Sequence, residues 1–166
     1  MSLRLGIIGC GLKAASYARS WTAGPVQPEI VAITDTSAAS VKRYAAIVTQ
    51  AGGAAPKVYP DADALLAAEA GNLDAVYVST PHAFHQLYAK AALKAGLHVL
   101  LEKPMALNAE EAREILAARD AAGKQIVIAY QSSLSPLIAG YRKRFQAGEF
   151  DRTAIDGDRA IGGVGE

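Results

Sequence analysis

A short glycine-rich segment near the amino terminus has the spacing needed to hold a phosphate group. The segment reads GCGLKA from Gly9 onward and lies between an apolar run and a helical pattern. Gly9 permits a tight turn, Gly11 lets the backbone approach a pyrophosphate, and Ala14 lets the helix pack closely on the strand. The N–H groups at the helix start, at Leu12 and Lys13, and the Lys13 cation favour an anion at this place.

An acidic residue at the end of the second apolar run extends this pattern. In dinucleotide-binding motifs an acidic residue usually follows the glycines by ~20 residues, and Asp35 follows them at a somewhat greater separation. A carboxylate there can accept hydrogen bonds from both ribose hydroxyls and repels a 2′-phosphate, which favours NAD over NADP. A plain glycine turn, with Asp35 as a turn residue or helix cap, is the alternative. A methyltransferase that binds S-adenosylmethionine uses a similar loop and acid, and it also stays open.

Two later segments carry side chains that can move protons. TPHAFH spans Thr80–His85, and EKP spans Glu102–Pro104. Both follow predicted strands, at the edge where such sheets bind ligands. An amine, imidazole or carboxylate can take the proton that a hydroxyl loses as hydride leaves the same carbon. Lys103 could instead be a solvated surface charge. His82 and His85 could suggest a metal pair, but no third ligand is evident, so no metal site is predicted.

The hydrophobic pattern predicts the scaffold that positions these segments. Short apolar runs alternate with alanine-rich stretches at helical spacing, and glycines end most of the helices. Apolar strands joined by helices are typical of a parallel sheet covered on both faces, so we expect an α/β, doubly wound fold. The predicted strands are Leu3–Ile8, Glu29–Thr34, Val58-Tyr59, Ala75–Ser79, His98–Leu101 and Ile126–Ala129. The predicted helices are Lys13–Trp21, Ser37–Gln50, a short one capped by Asp61, one that opens at Thr80-Pro81 and stops at Gly96, and one between a capping box at Asn108 and Glu111 and a stop at Gly123. The helix from Thr80-Pro81 carries apolar residues at helical spacing, namely Phe84, Leu87, Tyr88, Ala91 and Ala95.

Composition excludes several classes of protein. The chain has 166 residues, a net charge of +1, and 51% hydrophobic against 20% charged residues. The hydrophobic share excludes general disorder. The near-zero net charge gives no excess of positive charge that would indicate binding to nucleic acid or to an anionic membrane. No apolar run reaches the roughly 18 residues of a membrane span. The single cysteine, Cys10, excludes a disulfide scaffold and favours a reducing cytoplasm; we interpret it as a packing residue rather than a reactive one.

Three segments resemble the Gfo/Idh/MocA family, which includes glucose–fructose oxidoreductase and inositol dehydrogenase. They are GIIGCG, which contains the start of the glycine loop, TPHAFH, and AGLHVLLEKPMALNAEEA. The resemblance covers residues 3–150 and implies a Rossmann domain of an NAD- or NADP-dependent oxidoreductase acting on sugars, polyols or related compounds. It implies that Lys103 is the active-site lysine near the nicotinamide. It also implies cofactor contacts for Thr80, Pro81, His85 and Glu102.

The family pattern is only partly present. We expect an NAD(P)-binding Rossmann domain over residues 1–130, and a linker helix with the truncated start of an α+β substrate domain over 131–166. That helix opens at Pro136, with Leu137, Ile138, Tyr141 and Phe145 inward. No histidine follows His98, so the family's second-domain histidine is missing. A non-catalytic dinucleotide-binding module is therefore the alternative function, and an uncovered domain face predicts self-association as a homo-oligomer.

Overall fold

A computed structural model describes residues 2–25, 27–130 and 135–149. The chain divides into two compact units, Met1–Ala129 and Tyr130–Glu166. The first unit contains a parallel sheet and the helices that cover it. In the described part of the second unit, one helix is present.

The first unit is built on one sheet with all of its strands parallel. Its spatial order is β3-β2-β1-β4-β5-β6, so the chain runs outward from β1 in one direction and then in the other. This confirms the predicted doubly wound α/β fold, the Rossmann fold. The strands among the described residues are β1 Arg4–Ile8, β2 Glu29–Thr34, β3 Lys57–Val58, β4 Ala75–Val78, β5 His98–Leu101 and β6 Ile126–Ile128.

Helices follow the strands as the sequence pattern indicates. The Asp61 carboxylate caps α3 by accepting from the amide of Ala64, and Asn108 and Glu111 form the predicted capping box of α5. Gly123 ends α5 in the left-handed conformation. The helices of the described residues are α1 Leu12–Ala23, α2 Ala38–Gln50, α3 Ala62–Glu69, α4 His85–Lys94, α5 Ala109–Ala122 and α6 Pro136–Gln146, with 3₁₀ turns at Ala70–Asn72 and His82–Phe84.

Strand residues alternate between two cores, one on each face of the sheet. Ile7 and Tyr77 pack in the core that also holds α1 and α2 residues, while Ile8, Val76 and Val78 pack in the core of α3, α4 and α5. Small side chains let the helices approach the sheet closely. The alanines with at most 2% exposure are Ala14, Ala15, Ala18, Ala32, Ala89 and Ala92.

The fourth helix differs from its predicted form. Pro81 does not open it and Thr80 does not cap it, because a 3₁₀ turn intervenes and α4 begins at His85. A 3₁₀ turn has three residues per turn instead of 3.6, so it changes which side chains face the sheet. Of the apolar residues predicted at helical spacing, Phe84 and Leu87 are 45% and 57% exposed, whereas Tyr88, Ala91 and Ala95 are partly buried against the core. The fully buried residues of α4 are His85, Ala89, Ala92 and Leu93.

The prediction for α6 was partly wrong. The helix opens at Pro136 as predicted, but Leu137, Ile138, Tyr141 and Phe145, predicted inward, are between 38% and 65% exposed. The described residues of this unit hold one helix, and a single helix offers no second layer against which an apolar face can be buried. The glycine-rich stretch 151–166 lies outside the described residues.

Glu69 is a buried carboxylate that fixes the end of α3. Its side chain is 2% exposed, and it accepts hydrogen bonds from Lys57 (2.7 Å), Tyr59 and Asn72 (3.2 Å). The Lys57 and Tyr59 hydrogen bonds lower the pKa of Glu69 to about 2. Because the folded-state pKa lies below the ordinary value of 4.5, the ionised form stabilises the fold above pH 4.5, and this stabilisation is lost as the pH falls toward 2.

We predict that Glu69→Gln lowers the free energy of unfolding by about 1–3 kcal/mol at neutral pH, since an amide cannot replace the charged acceptor. The deficit relative to wild type should shrink as the pH falls through the range 4.5 to 2. Urea unfolding at several pH values measures this. Glu114→Gln is the matched control, because Glu114 and its partner Lys90 are about half exposed. A deficit that does not change with pH would contradict the assignment.

Candidate functional site

The carboxyl ends of four neighbouring strands place the predicted site residues in one row. The sheet order puts Asp35 after β2, the glycine loop after β1, Ser79–Pro81 after β4, and Glu102–Pro104 after β5. Adjacent strands lie about 4.8 Å apart, so the strands that end at the two extremes of the row are separated by about 14 Å. The row lies where the strand order reverses direction, which is where open α/β sheets bind ligands.

The glycine loop leaves room for a ligand at one glycine and none at the other. Gly9 has a φ of +94°, and a β-carbon there would lie 2.5 Å from the carbonyl oxygen of Ser79. A β-carbon at Gly11 would meet nothing within 4 Å. Gly11 is the N-cap of α1 and provides no side-chain cap, so the first amides of the helix stay open to an anion.

Two side chains of opposite charge hold the backbone amide and the backbone carbonyl of Cys10. The Asp35 carboxylate accepts from the amide of Cys10 at 2.6 Å and from the amide of Ser37 at 2.7 Å. The Arg43 guanidinium donates to the Cys10 carbonyl at 3.3 Å and to the hydroxyl of Ser40 at 3.2 Å. Asp35 therefore orders the loop in addition to any role toward a ligand.

The Cys10 thiol has the environment of a packing residue. It has no exposed surface and lies 3.6 Å from the carbonyl oxygen of Thr34. Burial, together with the Asp35 carboxylate, raises the pKa of the thiol to about 12. A thiol that stays protonated at neutral pH is a poor nucleophile.

A cleft of about 500 Å³ opens along part of the row. This is within the usual size range for a small-molecule site. The cleft brings together five of the predicted residues, while Leu12, Lys13, His85, Glu102 and Lys103 do not line it. Its lining is Ile8, Gly9, Gly11, Thr34, Asp35, Thr36, Ser40, Pro60, Asp61, Ala62, Ser79, Thr80, Pro81, Phe84 and Tyr88.

Two residues of the loop, Leu12 and Lys13, do not line the cleft. The Leu12 side chain is 78% exposed, which leaves its backbone amide as the group that can face a ligand. The Lys13 ammonium lies 5.4 Å from the centre of the Tyr17 ring, further along α1. The ammonium thus lies over an aromatic ring, and the contact between the Lys13 cation and a phosphate stays a prediction.

Glu102 lies behind the exposed Lys103 and is 5% exposed. One oxygen accepts from the Tyr77 hydroxyl at 2.8 Å, and the other accepts from the amide of Lys103 at 3.2 Å. Burial raises the pKa of Tyr77, and the neighbouring Glu102 carboxylate raises it further, so the phenol remains a donor. The structure gives Glu102 a buried position that fixes the backbone of Lys103, and its cofactor contact stays a prediction.

His85 also lies outside the cleft, with no exposed surface. Its Nδ1 is 2.7 Å from the carbonyl oxygen of Pro104, and its Nε2 is 3.0 Å from that of Thr80. Both ring nitrogens already contact the protein, and the cofactor contact that the resemblance implies for His85 stays a prediction. The centre of the His82 ring lies 5.4 Å from the centre of the His85 ring. No group of three potential metal ligands occurs in the part of the chain that the structure describes.

Sequence reasoning missed the roles of Tyr77 and Arg43. Tyr77 was predicted only as part of a strand, although a phenol in an otherwise aliphatic buried strand needs a hydrogen-bond partner, which is a usable signal. Its ring packs edge-on against Tyr17 and Trp21 of α1, each at 5.5 Å. Arg43 is one helical turn after Ser40, and the pattern of α2 does not indicate that its guanidinium turns back to the glycine loop.

Comparison with known proteins identifies the family. Residues 3–130 match the model of the Gfo/Idh/MocA oxidoreductase family, described as having an NAD-binding Rossmann fold. The chain belongs to this family. Among the described residues, none of the helices combines the length and the apolar character that crossing a membrane requires.

Two of the similar proteins are named as enzymes of a polyol and of a sugar derivative. The chain is 33% identical to inositol 2-dehydrogenase 1 of Saccharopolyspora erythraea over all of this chain and 44% of that protein. It is 39% identical to 1,5-anhydro-D-fructose reductase of Ensifer adhaerens over 71% of this chain and 33% of the relative. The chain thus spans less than half the length of these relatives.

Solved structures resemble the chain over the same part. The WlbA dehydrogenase of Bordetella pertussis, in complex with NADH and UDP-GlcNAcA, matches with a TM-score of 0.75 and 28% identity over 91% of this chain and 41% of its own. A 3-ketoreductase of Actinomadura kijaniata, in complex with NADP, matches with a TM-score of 0.74 and 28% identity over 89% of this chain and 43% of its own. Relatives of this family thus bind NADH in one case and NADP in another.

The buried phenol of Tyr77 predicts a measurable difference between two tyrosines. Tyr77→Phe leaves a Glu102 oxygen buried without its donor, so we expect the free energy of unfolding to fall by about 1–3 kcal/mol. Tyr44→Phe is the matched control, because the Tyr44 hydroxyl is buried and has no hydrogen-bond partner among the described residues. That variant should lose less than about 0.5 kcal/mol or gain stability. Urea unfolding of both compares them, and equal losses would contradict the role of Tyr77.

Proposed function

We propose that this chain binds a nicotinamide dinucleotide in the cleft, as the cofactor-binding part of an oxidoreductase that acts on a sugar, polyol or related hydroxyl compound. The observation that carries the proposal is the open space at Gly11, beside helix amides that no side chain caps. The names of the relatives support the substrate class. In this proposal, residues 1–130 form the cofactor domain and 131–166 begin a substrate domain.

The residues of the cleft fit such a cofactor. The first amides of α1 and the gap at Gly11 suit a diphosphate, and the Asp35 carboxylate suits ribose hydroxyls. Each Asp35 oxygen accepts one backbone N–H and retains capacity for another donor. The Thr80 hydroxyl oxygen is buried in the cleft lining without a partner among the described residues, which suits a polar ligand.

Charge at the adenosine end favours NAD over NADP. A 2′-phosphate beside Asp35 would meet a carboxylate, so NAD is the proposed cofactor. Arg43 could offset this repulsion, but its guanidinium donates to Cys10 and Ser40. Titrating the protein with NADH and NADPH decides between them.

Lys103 is the proposed catalytic residue. It is exposed at the end of β5, and its backbone is fixed by the buried Glu102. When bound, the nicotinamide accepts or returns a hydride. The Lys103 ammonium is suited to hydrogen-bond the reacting hydroxyl, and in its neutral form the Nζ atom can take the hydroxyl proton.

Self-association of the chain as a homo-oligomer stays a prediction. Light scattering of the purified chain tests it.

Gly11→Val should separate cofactor binding from folding. An added β-carbon meets nothing in the protein within 4 Å, so we expect the melting temperature to stay near that of wild type. It would fill the space proposed for the diphosphate, so NADH affinity should fall by more than about tenfold, which corresponds to about 1.4 kcal/mol. Fluorescence titration measures the affinity. Gly71→Val is the control, because that glycine is equally open and lies in the 3₁₀ turn before β4, remote from the loop.

Asp35→Ala should weaken NADH binding by about tenfold and weaken NADPH binding less, because it removes both a ribose acceptor and the repulsion of a 2′-phosphate. Asp35→Asn keeps an acceptor for the amide of Cys10 and controls for disorder of the loop. Calorimetric titration with both cofactors measures the ratio of affinities. An NADH affinity unchanged within about twofold would overturn the assignment of Asp35.

Turnover tests the proposed function itself. Polyols and sugars are screened with NAD, and the active substrate is then tested with Lys103→Met. We expect this variant to bind NADH as wild type does and to lose turnover. Lys94→Met, which removes an exposed lysine at the far end of α4, should retain turnover. Turnover of any compound by wild type would exclude the alternative of a non-catalytic dinucleotide-binding module.

A further inference from the structure

We propose that His85 is a positioning residue that ties the loop after β4 to the loop after β5, and so sets the geometry of the nicotinamide end of the site. The proposal rests on the proposed function, because it assumes that a dinucleotide occupies the cleft. His85 is the first residue of α4 and has no exposed surface. Its ring nevertheless contacts polar atoms of both loops.

The chemistry of these contacts requires the ring to donate. The carbonyl oxygens of Pro104 and Thr80, at 2.7 Å and 3.0 Å from the two nitrogens, can only accept hydrogen bonds. A neutral imidazole carries one N–H and bonds one carbonyl at a time, whereas the doubly protonated ring bonds both. In either form, the ring is the hydrogen-bonding group placed between the two carbonyls.

Each carbonyl belongs to a residue beside a proposed ligand contact. Thr80 lines the cleft and has a buried hydroxyl oxygen without a partner among the described residues, so fixing its backbone aims that oxygen. Pro104 directly follows Lys103, whose amide is held from the other side by Glu102. His85 therefore sets the spacing between a ligand-facing hydroxyl and the proposed catalytic ammonium.

The sheet order makes the expected effect selective. Asp35 and the glycine loop lie at the ends of β2 and β1, whereas the His85 ring bonds residues that follow β4 and β5. The part of the ligand that Asp35 and the glycine loop hold is the ADP-ribose moiety, which NADH shares with free ADP-ribose. A change at His85 should consequently weaken NADH and leave ADP-ribose almost unchanged, whereas general loosening of the fold weakens both.

Variants of His85 test this selectivity. His85→Asn keeps a donor close to the Nδ1 position, His85→Gln keeps one close to the Nε2 position, and His85→Leu keeps none. We expect NADH affinity to fall about fivefold in the first two and further in the third, with ADP-ribose affinity unchanged within about twofold. Gln86→Ala is the control, because Gln86 is adjacent on α4 but donates to Glu114 of α5. Equal losses for both ligands, or no loss for either, would overturn the proposal.

The wild-type protein gives an independent readout if these variants do not fold. Its three histidines make the ring nitrogen resonances of His85 simple to assign. We expect NADH to shift the His85 ring resonances and ADP-ribose to leave them in place. His98 is the internal control, since it begins β5 at the opposite edge of the sheet. If NADH binds and the His85 ring resonances do not shift, the proposal for His85 is overturned. If the wild-type protein binds neither NADH nor ADP-ribose, the proposed function is overturned.

Discussion

The contact between the turn after β1 and the end of β4 is the constraint on which the site depends. Gly9 lies so close to the Ser79 carbonyl that no β-carbon fits between them, and its amide also donates to the carbonyl of Thr34 on β2. The ends of three strands thereby meet at one turn. That packing brings the start of α1 to the point where strand order reverses, and the open amides of this helix then lie beside a cleft.

Polar groups behind the cleft hold the loops that border it. Asp35 and Arg43 fix the Cys10 peptide groups, Tyr77 and Glu102 fix the backbone of Lys103, and His85 joins the loops after β4 and β5. Such buried polar contacts are costly to leave unsatisfied, so each one restricts its loop to a narrow set of conformations. Pre-ordered loops bind a ligand with less loss of conformational entropy.

Patterns with a local physical cause could be predicted from the sequence. The strands, the caps at Asp61 and Asn108, and the turn at Gly9 follow from periodicity, side-chain hydrogen bonding and backbone freedom within a few residues. The placement of Glu102 and His85 could not be predicted, because it depends on partners far away in sequence: Glu102 bonds Tyr77, and His85 bonds Pro104. Lys13 differs, because its ammonium lies over Tyr17 of the same helix. The phase of α4 was also missed, since the 3₁₀ turn at its start has no distinct sequence signal.

We propose that the amide groups at the start of α1 hold the diphosphate of a nicotinamide dinucleotide. The decisive experiment is a crystal structure of the chain grown with NAD. We expect diphosphate oxygens within hydrogen-bonding distance of the Leu12 amide, an adenosine ribose against the Asp35 carboxylate, and the nicotinamide toward Lys103. A cofactor bound elsewhere on the sheet, or a diphosphate without contact to the first turn of α1, would contradict it.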